Sequence, residues 1–193
     1  MSVRARVRQI RLHIARRESP IGQIVIAWDG QGVLRVLDFG DYDARMRKLL
    51  QLQYGACECA EAQAPTAISG AMDKYFVGDI RAVDKIAVMT GGTEFQKSVW
   101  AALRRIPAGT TLSYGALAQQ LGCPKAVRAV GGANGANPIS IVVPCHRVIG
   151  ADGSLTGFGG GIERKRWLLA HEKKHAGSID LFSAATRNAV ARI

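Results

Sequence analysis

Cys145 and His146 stand side by side behind Pro144, and these are the residues best suited to covalent chemistry in this chain. A thiol attacks well only as its thiolate, and a neighbouring imidazole lowers its pKa or takes its proton. A third group comes from a helix read at about residues 162–174. Glu172 follows Leu168 and Leu169 by four and three positions, so it shares the face that packs inward. A carboxylate there needs a partner, because an unpaired buried charge is costly. With His146 as that partner, the three residues make a nucleophile, a base and an orienting group. Two plainer readings stand beside this one. Cys145 and His146 could be a buried cysteine next to a satisfied core histidine, and Glu172 could lie in solvent at a frayed helix end. His171 and His175 read as surface residues.

The elements around these residues must place them. Ile141-Val142-Val143 reads as a buried strand stopped by Pro144, and a second apolar run follows at Val148-Ile149. Upstream, Thr93 lies three residues before Gln96, a capping-box spacing. It opens an amphipathic helix through Phe95, Val99, Trp100, Leu103 and Ile106, ended by Pro107-Ala108-Gly109. Two short helices follow, at about 114–121 and from about 125, broken at Gly122-Cys123-Pro124, which is a helix-turn-helix pattern. The second is small and apolar from Ala126 to Ala133, with Arg128 its only long side chain. Such a surface suits close approach to a minor groove, and it suits a tightly packed buried helix equally well.

The first half reads as a strand meander at about 10–14, 24–28 and 33–39, with helices at about 42–53 and 66–77. Residues 54–65 are weakly patterned and hold Cys57 and Cys59. A boundary falls near Thr90-Gly91-Gly92, and Val3 to Arg8 alternates as a basic edge or arm entering a strand. The expected fold is α/β (α+β), with domains at 1–90 and 91–175 and a tail at 176–193. The cysteines match neither a disulfide framework nor a four-ligand zinc set, so a reduced, cytoplasmic setting without metal is expected.

The 193 residues include no apolar run long enough for a membrane span. They carry 26 Lys+Arg against 15 Asp+Glu, a net charge of +11 that points to a polyanionic partner. Residues 1–20 hold +5, residues 21–90 hold −2 and residues 91–193 hold +8. The partner surface is therefore expected in the second half, with Lys125, Arg128 and Arg147 as specific suspects.

Pro144-Cys145-His146-Arg147-Val148 resembles the signature of the O6-alkylguanine-DNA alkyltransferases, the methylated-DNA–protein-cysteine methyltransferase family. Further matches are Ser113-Tyr114, Pro124 to Ala133, Asn137-Pro138, the loop Thr156-Gly157-Phe158-Gly159-Gly160-Gly161, and Trp167-Leu168-Leu169-Ala170-His171-Glu172. The likeness is specific over about residues 93–173 and holds in outline over 10–85.

The resemblance implies a ribonuclease H-like N-terminal domain and a winged helix-turn-helix-like C-terminal one. It implies duplex DNA containing O6-alkylguanine, and also O4-alkylthymine, as substrate, bound in the minor groove with the damaged nucleotide rotated out of the stack. Cys145 would accept the alkyl group once and irreversibly, with His146 as base through a water and Glu172 orienting it. Asn137 would hold the turn that carries the cysteine. Tyr114, Val148, Phe158 and Gly159 would line the pocket, the Val148 carbonyl facing the exocyclic amine. Arg128 would fill the space of the extruded nucleotide, with Tyr114, Lys125, Ala129 and Gly132 along the DNA. No cofactor, metal or membrane is implied; the protein would be a monomer in solution that is open to cooperative binding on DNA, in a bacterial-type cytoplasm. Phe158 stands where many members have Tyr. The alternatives are a DNA-damage-binding protein without transfer and, with less in its favour, a cysteine hydrolase.

Overall fold

The computed structural model describes residues 10–190, with side chains for 10–41 and 44–177; the basic run Val3 to Arg8 lies outside them. Strands β1 (Ile10–Arg17), β2 (Ile24–Asp29) and β3 (Leu34–Phe39) form an antiparallel meander. Helix α1 (Asp43–Tyr54) then carries the chain across to β4 (Cys57–Glu61), which joins parallel to β1, giving the order β3-β2-β1-β4. Every residue of β2 is buried, which explains its unbroken apolar run. Strand β4 is a difference from the weak pattern read over residues 54–65. It is an edge strand with Glu58, Cys59, Ala60 and Glu61 exposed, so it carries no apolar alternation to read.

The two faces of the sheet bury different things. Leu12, Ile14, Val25, Ala27 and Val36 pack beneath Met46 and Leu50 of α1. On the other side Ile24, Ile26, Trp28 and Leu37 join Ile68, Met72 and Tyr75 of α2 (Thr66–Phe76). That second cluster continues without a break into Val99 and Trp100, Leu117, Val130 and Leu168 of the second half. The two halves therefore share a core, and elements of the first half can position groups of the second.

In the second half, α3 (Glu94–Leu103) starts at the expected capping box: the Gln96 amide N–H donates to Thr93 Oγ1 and the Thr93 N–H to Gln96 Oε1. The helix ends three residues short of Ile106, which is buried in the turn beyond it. The strand β5 (Leu112–Ser113), α4 (Tyr114–Gln120), α5 (Val127–Gly135), the strand β6 (Val148–Ile149) and α6 (Ile162–Val190) complete the order. β5 and β6 pair in parallel, and α6 runs on through most of what reads as a separate tail.

Residues 139–143 correct an expectation, for they form no strand. Ile139 makes an isolated bridge to Leu37 and the chain then turns, with Ile141 in the left-handed region at φ 69°. A β-branched residue there is strained, and such strain persists only where the surroundings enforce it. All of 137–143 is buried, so apolar composition alone could not distinguish this turn from a strand.

Candidate active site

Strand β3 and Asn137 hold the turn that presents Cys145. The Leu37 N–H donates to the Pro138 carbonyl and the Ser140 N–H to the Leu37 carbonyl, at 3.0 and 2.7 Å. The buried Asn137 side chain spans the turn: Nδ2 donates to the Val143 carbonyl (2.8 Å) and Oδ1 accepts from the Ile139 N–H (3.0 Å). Cys145, His146 and Arg147 then form one tight helical turn, all three buried. Burial pushes the Cys145 thiol up, against a hydrogen bond with Asn137 and the charges of Arg45 and Lys165. The resting group is therefore a thiol that needs a base.

The geometry brings His146 and Glu172 together as their spacing suggests. Nε2 of His146 lies 2.9 Å from Glu172 Oε1, and neither side chain is exposed. The carboxylate has further partners. Oε1 accepts from the Tyr75 hydroxyl (3.0 Å) and Arg147 (2.8 Å), and Oε2 from Arg147 Nε (2.9 Å) and the Gly109 N–H (3.2 Å). Gly109 reaches it with φ +80°, and a Cβ there would collide with Ala176. Burial alone would raise Glu172, but the bonds from His146 and Arg147 outweigh it and hold the carboxyl well below its ordinary range. Burial also lowers His146, against the pull of Glu172. A neutral imidazole facing a carboxylate carries its proton on Nε2, so Nδ1 is the basic nitrogen, and Nδ1 has no hydrogen-bond partner among the described residues.

Arg147 corrects another expectation. It is 3% exposed, pairs with Glu172 and donates to the Ile106 carbonyl at 2.6 Å, so it does not face a partner. His171 and His175 are not surface residues either. His171 is buried, stacks on Trp167 with ring centres 4.7 Å apart, and lies 2.7 Å from the Tyr75 carbonyl, while His175 is half-buried against Gly78.

Lys165 escaped the sequence reading. Fully buried, it donates to the Val148 carbonyl (2.6 Å) and the Thr156 carbonyl (2.7 Å), tying β6 to the glycine loop. The Val148 carbonyl expected to face an amine thus already accepts one bond. A signal existed: Lys165, Leu168 and Glu172 recur at i, i+3 and i+7, one helix face. Asn134 was also missed. Its Nδ2 is 3.4 Å from both the Tyr114 hydroxyl and the Cys145 carbonyl, so it links the start of α4 to the cysteine.

The glycine loop lies against the His146 ring and the end of β3. Phe158 sets its ring edgewise to His146 and to Phe39, at 6.5 and 6.1 Å. Gly159 lies so close to the Arg45 guanidinium that a Cβ would overlap it. Arg45 itself pairs with buried Asp38 and donates to the Gly135 and Asn137 carbonyls at 3.0 and 3.2 Å. Helix α5 resolves its two readings by doing both. It buries Val130, Ala133 and Asn134 and exposes Arg128, Ala129 and Gly132, with Lys125 exposed just before it.

Residues 94–174 match the family described as 6-O-methylguanine DNA methyltransferase, DNA binding domain. A methylated-DNA–protein-cysteine methyltransferase of Salmonella typhimurium is 50% identical over 156 residues, covering 80% of this chain and 91% of the relative. The chain belongs to the methylated-DNA–protein-cysteine methyltransferase family. One of the same name from Mycobacterium tuberculosis is 45% identical over 168 residues, covering 86% and 94% of the two chains. Among solved structures, the M. tuberculosis OGT in complex with DNA superposes with a TM-score of 0.70 at 39% identity, covering 86% of this chain and 94% of that one. The O6-methylguanine-DNA methyltransferase from Pyrococcus kodakaraensis does so with 0.62 at 27%, covering 83% and 98%. A mixed α/β chain with a small N-terminal sheet and a helical second half is common to them.

Proposed function

We propose that the protein repairs DNA directly, by moving the alkyl group of O6-alkylguanine, and of O4-alkylthymine, onto Cys145. The observation that carries this reading is the buried thiol beside an imidazole whose Nε2 is committed to an ionised carboxylate, leaving Nδ1 to take a proton. In the reaction the Cys145 S–H bond breaks and His146 Nδ1 receives the proton, through a water. The sulfur attacks the alkyl carbon in line, an S–C bond forms, and the C–O6 bond breaks with its electron pair passing to the purine. Donors aimed at the base stabilise that developing charge. Tyr114 supplies a hydroxyl, the glycine loop around Phe158 and Gly159 supplies backbone N–H groups, and Asn137 holds the cysteine turn. The product is a thioether with no group to release it, so each molecule acts once and no cofactor takes part.

Duplex DNA is the partner, met in the minor groove by the exposed small-residue face of α5. The target base leaves the stack, since its O6 substituent is out of reach inside a duplex. Arg128 fills the gap, and Lys125, Ala129 and Gly132 lie along the backbone. Residues 1–90 serve as a ribonuclease H-like domain, and 91–175 as a winged helix-turn-helix domain built on α4 and α5. The setting is the cytoplasm; no helix among the described residues is long and apolar enough to cross a membrane.

A Cys145→Ala variant tests the reading. It should bind duplex DNA with unchanged affinity while transferring no methyl from an O6-methylguanine duplex. Transfer that survives the substitution would overturn the reading.

A further inference from the structure

Asn134 is a buried amide in the last turn of α5, where packing alone would favour an apolar side chain. Its Oδ1 is buried and has no hydrogen-bond partner among the described residues. An acceptor left in that state costs about 1–3 kcal/mol, so whatever the position gains from an amide comes through the nitrogen. Nδ2 lies 3.4 Å from two oxygens, the Cys145 carbonyl and the Tyr114 hydroxyl. The carbonyl can only accept, and it therefore decides which way the amide faces. The nitrogen has two hydrogens, one for the carbonyl and one for the Tyr114 oxygen. Both bonds are long, and catalytic hydrogen bonds commonly tighten only once substrate is bound.

Tyr114 is held to this contact from three directions. Ser113 Oγ accepts from the Ala116 N–H at 3.1 Å and starts α4 at the tyrosine. Ser113 also pairs with Ile149 of β6, the strand that directly follows the cysteine turn. The tyrosine ring lies along α5, since a Cβ on Gly131 would stand 3.9 Å from its Cδ1 and Cε1. A phenol oxygen that accepts from an amide keeps its own hydrogen for another acceptor. Accepting also strengthens the bond it donates, through the polarisation that runs along hydrogen-bond chains.

We propose that Asn134 is a positioning residue for the alkyl transfer, acting through Tyr114. Its Nδ2 occupies the Tyr114 oxygen, so the Tyr114 O–H turns to the target base and stabilises the charge that builds as the C–O6 electron pair passes into the purine. No proton leaves Tyr114, and no covalent bond to Asn134 is made or broken. The second N–H holds the Cys145 carbonyl, so one side chain sets the donor and the nucleophile relative to each other. The inference rests on the alkyl-transfer reading and adds to it the group that orients its tyrosine.

The test measures single-turnover methyl transfer at saturating O6-methylguanine duplex for the full chain, Asn134→Leu, Tyr114→Phe and the double variant. Asn134→Leu loses one hydrogen bond to the hydroxyl and should slow transfer about 10-fold. Tyr114→Phe loses a donor to developing charge and should slow it about 100-fold. The double variant should match Tyr114→Phe alone, because the hydroxyl through which Asn134 acts is already gone. Asn134→Ala, which adds no bulk, should match Asn134→Leu. Alkylation of Cys145 by iodoacetamide, in which no purine leaves, should keep its wild-type rate in every variant. Losses that multiply in the double variant, an equal slowing with iodoacetamide, or undiminished transfer in Asn134→Leu would each overturn the proposal while leaving the alkyl-transfer reading in place. A wild-type chain that transfers no methyl at all would overturn that reading, and this inference with it.

Discussion

Two buried carboxylates flank the cysteine turn, each paired with an arginine and neither exposed: Glu172 on α6 and Asp38 on β3. Glu172 accepts from a tyrosine, a histidine, an arginine and a backbone amide, and it stays ionised far into acid. Asp38 has Arg45 on one oxygen and no partner among the described residues on the other, and burial pushes it up to about 6 against the Arg45 charge. Burial is common to both, so the supply of donors decides the charge. One carboxylate is a fixed anchor for His146. The other is a titrating group whose charge raises the pKa of Cys145.

Removing the anchor should have the largest effect. Glu172→Gln leaves Arg147 buried without its counter-charge, and urea unfolding is expected to show a loss of about 3–5 kcal/mol. Repair should slow in the same variant, since His146 loses the group that fixes its tautomer. Retained stability would break the contrast outright.

The second test is the opposite response of the two groups to pH. Asp38 has its pKa raised from 3.8 to about 6, so its ionised form is disfavoured in the folded chain. Its contribution is best below the unfolded value and is lost as pH rises through the folded one, by about 2–3 kcal/mol at ~1.4 kcal/mol per unit. Asp38→Asn should flatten that slope in a series of unfolding curves. The same variant should make the Cys145 thiol react faster with iodoacetamide at neutral pH. Glu172 behaves the other way, its contribution being complete above the ordinary glutamate range and lost only as pH falls below it.

Asn137→Ala removes the side chain that spans the turn between the two carboxylates. A loss of about 1–3 kcal/mol is expected, because the Val143 carbonyl and Ile139 amide are left buried without a partner. The smallest effect on stability belongs to Arg128→Ala, on the exposed face of α5, within about 0.5 kcal/mol. Its effect should fall on function instead: slower repair in duplex DNA, with attack on the free modified base little changed. Equal losses on both substrates would remove Arg128 from the extrahelical role.

Much of this arrangement is legible in the sequence. The Thr93–Gln96 capping box is a local pattern, and the inward face of Glu172 follows from Leu168 and Leu169 one turn away. Arg147 is not legible as buried, since a charged residue is normally solvated and Glu172, which neutralises it, lies distant in sequence; Lys165 shares a helix face with Leu168 and Glu172, but the Val148 and Thr156 carbonyls that hold it are set only by the fold. Asp38 and Arg45 gave no signal either, because their relation to Cys145 arises only where β3 meets the 137–140 segment. The turn at Ile141 reads as strand because a short buried apolar run looks the same in both.

The central claim is single, irreversible transfer to Cys145. Excess duplex containing one O6-methylguanine is incubated with the protein to completion, and the digested chain is mapped by peptide mass. The account expects a plateau of one methyl per chain, carried as S-methylcysteine at position 145, with guanine restored in an equal amount of DNA. Continued turnover past one equivalent, or a methyl group found on any other residue, would contradict it.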